Sequence, residues 1–278
     1  MAALIRTLLP SDLTFGHELS GLAGWNQTRR DWERFLSLAP EGCFLAEVDG
    51  QPAGTATTTS YASDLAWIGM VLVHPDFRRQ GIGTALLERA IRHLREERRV
   101  TCVRLDATPD GKPLYEGLGF RSEWGLRRWV KEVHEPSSRF SSTPEWTFSS
   151  ASLELDRAVF GASRFELLQS LLTGSSGGIT LEDGSFGLIR PGKRASYLGP
   201  VTAASRQSAE VVIRELLGSC PPGNTVFWDI PDPNEAATGL AERLGFQPVR
   251  VLTRMWLGDR AIEQDPERIV ALAEPGLG

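Results

Sequence analysis

Cysteine is scarce: only Cys43, Cys102 and Cys220 occur in 278 residues. Their number is odd and none stands in a Cys-x-x-Cys pair. That argues against a disulfide framework or a structural zinc site, and no metal is expected. Long apolar runs are missing too. None approaches the roughly 20 residues that a membrane span needs. The opening "MAALIRTLLP" is too short and too interrupted for a secretory leader. Positive charge is not in excess either, with 30 Lys and Arg against 35 Asp and Glu, a formal charge of −5. Nucleic acid rewards a cationic face. The expectation is therefore a cytoplasmic protein with neither a nucleic-acid nor a membrane partner.

What is present is ordinary globular material, 41% hydrophobic and 23% charged. The length suggests two domains of roughly 130 residues each, long enough to bury a core apiece. "ALIRTLL" reads as a strand stopped by Pro10. "TRRDWERFLSL" reads as a helix with Thr28 at its N-cap and Asp31 in its first turn. "CFLAEV" and "GTATTTSY" flank the turn signal "DGQPAG". "LAWIGMVLV" is a longer apolar strand, expected at the sheet centre. A helix from Gly83 to Glu97, the strand "CVRLDAT", the short helix "KPLYEGLGF" and the strand region "RSEWGLRRWVKEV" follow. The Ser- and Pro-rich residues 135–147 read as a linker between domains 1–134 and 148–278.

The two halves share a pattern. "LYEGLGF" ends at Phe120 and "LAERLGF" ends at Phe246, 126 positions later. At that offset Asp106 falls on Asp232, Leu86 and Leu87 on Val212 and Ile213, and Gly119 on Gly245. Agreement in the apolar positions of helix and strand indicates a duplicated fold.

One loop carries chemistry. "VLVHPDFRRQGIGTALLERAIRHL" passes from an apolar strand through Arg78-Arg79-Gln80-Gly81-Ile82-Gly83 into a helix. Glycines there let an anion approach free backbone N–H groups at a helix start, and two arginines add charge. The spacing matches neither a Walker loop nor the Rossmann fingerprint. The pattern suggests a pyrophosphate cradle.

With "LYEGLGF" downstream, the first half resembles the GNAT family of acyl-CoA N-acyltransferases, whose hallmark is Arg/Gln-x-x-Gly-x-Gly/Ala after a central strand. The second half resembles a degenerate GNAT repeat. The resemblance implies an α/β fold of two tandem GNAT-like domains, each a mixed, mostly antiparallel sheet flanked by helices. It implies acetyl-CoA as co-substrate. Pantetheine would lie along Met70, Val71, Leu72 and Val73, and the pyrophosphate on Arg78 to Thr84. Thr108 stands where the family often has an asparagine against the cofactor. Tyr115 would be the general acid, the alternative being a ring that packs on the cofactor.

Asp64, Glu47 and Asp106 are open choices for a base. Trp25, Asn26 and Trp67, with Asp64, are candidates for the acceptor pocket; a core tryptophan and a turn asparagine are the plainer alternatives. The expected reaction is acetyl transfer to a primary amine of a small molecule, by direct attack in a ternary complex. The chain's acidity leans toward a cationic amine. A non-catalytic acyl-CoA sensor or partner-binding module is the rival reading, against which an acid beside an intact loop speaks.

Overall fold

The computed structural model describes residues 3–134 and 146–278, so most of the expected linker lies outside the described residues. Strands β1 (Leu4–Thr7), β2 (Phe44–Val48), β3 (Gln51–Tyr61) and β4 (Leu65–Val73) form an antiparallel run. Asp49 and Gly50 make the β2–β3 turn with φ of 50° and 76°, the left-handed pair that a two-residue hairpin requires. Helices α1 (Leu13–Leu22) and α2 (Arg29–Leu38) cover one face. As expected, Thr28 caps α2. Its hydroxyl accepts from the Asp31 N–H, and the Asp31 carboxylate accepts from the Thr28 N–H at 2.7 Å. Helix α3 (Ile82–Arg92), prolonged to Glu97, covers the other face with Leu86, Leu87 and Ala90 fully buried.

Strand β5 (Cys102–Ala107) runs parallel to β4, but the two pair only from Leu65 to Trp67. Beyond Trp67 they part. After α4 (Lys112–Gly117), β6 (Arg121–Glu132) is one continuous strand. The second half supplies α5 (Ser150–Phe160), α6 (Phe165–Leu172), β7 (Gly177–Thr180), β8 (Phe186–Arg190) and β9 (Ser196–Thr202). It continues with α7 (Arg206–Gly218), β10 (Thr225–Pro231), α8 (Glu235–Arg243), β11 (Gln247–Gly258) and β12 (Ile269–Ala271).

The halves are joined by exchanging their long strands. The order through the sheet is β1-β2-β3-β4-β5-β11-β6-β10-β9-β8-β7. So β5 of the first half pairs with β11 of the second, and β10 of the second pairs with β6 of the first. Each junction carries a buried two-bond ion pair. Arg254 on β11 donates to Asp106 at 2.8 and 2.9 Å, and Arg128 on β6 donates to Asp229 at 2.8 and 2.7 Å.

These matched pairs correct one alignment drawn from the sequence. Arg128 and Arg254 lie 126 positions apart, but the counterpart of Asp106 is Asp229, not Asp232. The strand is displaced by three residues relative to the flanking elements. Asp232 instead sits past the end of β10, near Arg127 at 3.1 Å.

The second half also parts its parallel strands, β9 and β10, which pair only over Ser196–Leu198. Here the opening is filled. Strand β12 pairs with β9, the Leu272 N–H donates to the Asp229 carbonyl at 3.1 Å, and Trp228 Nε1 donates to the Val270 carbonyl at 2.8 Å. The chain then crosses to the first half. Tyr61 Oη donates to the Leu277 carbonyl, Trp67 Nε1 donates to the Pro275 carbonyl at 3.2 Å, and Gly276 lies on Gly69. A Cβ on Gly69 would stand 2.6 Å from the Gly276 oxygen, so this approach requires glycine.

Candidate active site

A cavity of roughly 560 Å3 runs through the gap between β4 and β5. That size is ordinary for a small-molecule site. At one end lies the loop into α3. Arg79 and Gly81 have φ of 62° and 77°, both left-handed. The first helical bond is from the Ala85 N–H to the Gly81 carbonyl. No backbone N–H from Arg79 to Thr84 has a hydrogen-bond partner among the described residues. Six consecutive donors are thus left at a helix start, where the dipole adds positive potential. A Cβ on Gly81 would meet nothing within 4 Å, so a ligand can reach this backbone. Arg78, Arg79, Gly81, Ile82, Gly83 and Thr84 line the cavity; Gln80 is exposed and does not.

The middle of the cavity is walled by β4. Met70 has φ of 47°, and Met70 with Val71 faces Ala56 alone across a bulge. Such a bulge re-aims the strand and leaves its backbone groups partly unpaired. Met70, Val71 and Val73 line the cavity, whereas Leu72 is buried and does not. Opposite stand Thr108 and Tyr115. Thr108 Oγ1 accepts from the Gly111 N–H at 3.1 Å, which shapes the turn into α4. The Tyr115 ring packs edge-on against Phe120 with centroids 6.0 Å apart. Its hydroxyl has no protein partner among the described residues, and burial pushes its pKa up to about 12.

The far end opens on the α1–α2 face. Trp25, Gln27, Arg128, Arg250, Pro275 and Gly276 line it. Asn26 also reaches this wall, but its side chain is occupied. It donates to the Ala195 carbonyl and accepts from the N–H groups of Arg194 and Ala195, at 2.9 to 3.0 Å. Asn26 therefore ties the first half to the second. Two other expected acceptor residues lie elsewhere. Trp67 is fully buried, stacked on Phe160 and under Arg254 at 4.4 Å. Asp64 is exposed at the other end of β4 from the glycine loop.

The remaining candidates for a base are committed as well. Glu47 pairs with Arg6 at 2.7 Å, and Asp106 is held by Arg254. Residues not foreseen as site residues are Gln27, Arg128 and Arg250, with Pro275 and Gly276 from the tail. Arg128 and Arg250 reach the cavity only through the strand exchange, for which the sequence carries no local signal.

Among the described residues no cluster of His, Cys, Asp and Glu could hold a metal, and no helix is long and apolar enough to cross a membrane. All three cysteines are buried. Burial raises their pKa values, to about 12 for Cys43 and about 11 for Cys220, so none is a poised thiolate.

Comparison with known proteins gives the family. The family model "Acetyltransferase (GNAT) family" matches residues 11–120, and the model "Acetyltransferase (GNAT) domain" matches residues 152–271. The chain belongs to the GNAT acetyltransferases, as a tandem protein with two GNAT-fold halves. Holothin acyltransferase from Pseudoalteromonas sp. (strain SANK 73390) is 25% identical over 263 residues, covering 91% of this chain and 87% of that protein. A candidate acetyltransferase solved from Pyrococcus horikoshii is 26% identical with a TM-score of 0.84, covering 99% of this chain and 96% of that one. A GCN5-related N-acetyltransferase from Sphaerobacter thermophilus shares the fold at 16% identity with a TM-score of 0.68, over 94% of this chain and 97% of that one.

Proposed function

We propose that the chain transfers the acetyl group of acetyl-CoA to a primary amine of a small molecule, by direct attack within a ternary complex. The observation that carries this reading is the row of six unpartnered N–H groups at one end of a cavity whose wall holds Tyr115. Pyrophosphate would rest on residues 79–84 beside Arg78 and Arg79. Pantetheine would follow the free edge of β4 from Val73 to Met70, adding itself as a strand. Thr108 would border it from the β5 side.

The thioester would then lie in the gap between the sheet faces. A neutral amine entering from the α1–α2 face attacks the carbonyl carbon. The C–N bond forms, the C–S bond breaks, and the electron pair leaves on sulfur. A phenol at about 12 stays protonated across the working pH range. The departing sulfur sits in the same apolar gap, where desolvation raises its own proton affinity. Tyr115 can therefore hydrogen-bond the developing thiolate and protonate it. Nitrogen loses its proton to solvent through the open acceptor end, and the Tyr115 phenolate regains one from solvent, which closes the cycle. The buried, unactivated cysteines speak against an acetyl-enzyme route.

The test is incubation with acetyl-CoA and a panel of amines, followed by thiol release and product mass. Initial rates at varied concentrations of both substrates should give intersecting lines. Parallel lines would indicate an acetyl-enzyme. Tight acetyl-CoA binding with no acetylated product from any amine would favour a sensor.

A further inference from the structure

The acceptor end of the cavity is charged in a particular way. Arg250 on β11 lies directly opposite Arg128 on β6. Like charges opposed across strands destabilise a sheet unless something neutralises them. Arg128 is neutralised: Asp229 accepts both of its bonds and also accepts from Tyr197 Oη at 2.6 Å. Both carboxylate oxygens of Asp229 are thereby engaged. Arg250 has neither an ion-pair partner nor a side-chain hydrogen bond among the described residues. Its guanidinium lies over the Trp25 ring at 5.7 Å. Burial, then the charge of Arg128, lowers its pKa against the opposing charge of Asp229, so this cation is only partly compensated.

The other groups at this end bear on the same point. Asp106 is tied to Arg254, and Asp110 is exposed at the rim. The carboxylates that line the cavity, Asp106 and Asp110, come from β5 and the turn into α4, and Glu274 is buried behind Gly276 without lining it. Gln27 is nine-tenths buried and lines the cavity, yet its Oε1 has no partner among the described residues. An unpaired buried acceptor calls for an N–H.

We infer that the acceptor is an amine that also bears an oxyanion, a carboxylate or a phosphate-type group. Arg250, held by Trp25, receives the anion, and the Gln27 carbonyl accepts from the amine. The guanidinium fork matches such an anion in two bonds. This inference rests on the acetyltransferase reading and narrows it. It runs against the cationic amine that the net charge of −5 suggests.

The test compares amines in matched sets, each as the carboxylate, the phosphonate, the neutral carboxamide and the amine lacking that group. The twenty amino acids with their amides and decarboxylated forms make the core of the panel, read by product mass. The carboxylate or phosphonate should lead its set, and which of the two leads identifies the anion. Arg250→Gln should cut the preference for the anionic acceptor over its amide by about 10–100-fold, mostly through KM. Arg250→Lys should restore part of that preference, and Arg250→Glu should invert it. Calorimetry with acetyl-CoA reports separately on the cofactor site. Loss of acetyl-CoA binding in Arg250→Gln would overturn the inference, by making Arg250 a cofactor ligand. So would a panel in which no anionic amine surpasses its amide. If the unaltered protein binds no acetyl-CoA, the acetyltransferase reading itself fails instead.

Discussion

Arg254 and Asp106 belong to opposite halves of the chain, yet they form a two-bond pair at 2.8 and 2.9 Å in the middle of one sheet. The guanidinium lies between two tryptophan rings, 4.4 Å from Trp67 and 4.2 Å from Trp124. Removing one partner leaves a buried charge alone, which costs about 3–5 kcal/mol. Asp106→Ala should lower Tm by roughly 6–15 °C. Replacing both residues by apolar ones, Asp106→Leu with Arg254→Met, should recover much of the loss. Thermal unfolding of the three proteins checks this; a single variant as stable as the parent would remove the pair from the account of the junction.

The cradle is tested at Gly83 rather than Gly81. Gly81 needs its left-handed φ of 77°, so any side chain there strains the loop. At Gly83 a Cβ would meet only Val73 Cγ2, at an ordinary 3.6 Å. Gly83→Glu should therefore fold while placing a negative charge where a phosphate would sit. Calorimetry should show acetyl-CoA affinity falling by at least an order of magnitude at unchanged Tm. Undiminished affinity would place the cofactor elsewhere.

Tyr115→Phe keeps the ring against Phe120 and removes only the hydroxyl. A positioned acid contributes roughly 10²–10⁴-fold in rate. Turnover should fall in that range while acetyl-CoA affinity stays within about twofold. Full turnover, in an assay limited by chemistry, would leave Tyr115 a packing residue.

The loop into α3 was far more legible in the sequence than the opposite wall of the cavity. Arg78 to Thr84 form one contiguous stretch whose residue types state their own purpose: left-handed turns, no side chains, adjacent cations. Tyr115 was marked by a neighbouring motif. The acceptor wall has no such continuity. Trp25, Arg250 and Gly276 meet only because β11 crosses into the first half and the tail follows it. A strand's sequence specifies its two faces, not which neighbour it pairs with. Hence Trp67, on the central strand, looked like a pocket residue and is core. Asn26 looked like a substrate grip and is a clamp on residues 194 and 195.

Behind Gly276, Glu274 is buried with Asp31 and Arg34 of α2, Arg190 of β8 and the Gln27 amide, whose Nε2 donates to it at 3.4 Å. Burial, then the charge of Asp31, pushes Glu274 up to about 7, against the opposing pull of Arg190 and Arg34. The folded value lies above the ordinary 4.5. The native state therefore holds a proton that the unfolded chain releases, and this contribution to stability is lost as pH rises toward and through 7. Glu274→Gln cannot ionise. It should match the parent in Tm near pH 4 and exceed it at pH 8. A variant no more stable than the parent at pH 8 would mean that Glu274 is ionised and compensated in the fold.

The second half should bind no cofactor, so the stoichiometry is one acetyl-CoA per chain. Three features close its site independently. The start of α7 is capped from within: Ser205 Oγ accepts from the Ser208 N–H at 3.1 Å, where Gly81 offers α3 no side chain. The gap between β9 and β10, which would admit pantetheine, holds β12 instead. Ala241 is fully buried at the position matching Tyr115, so the proposed acid has no counterpart there. What the second half retains is shape. It lends β11 to the first half's sheet and Arg250 to the acceptor wall, and it sends the tail across to Gly69. Titration calorimetry of the full chain should saturate at one equivalent, and Gly83→Glu should reduce that single step without exposing a second. Two equivalents bound would mean that β12 yields its place to the cofactor, and the tail would then have to leave the acceptor wall each time it did.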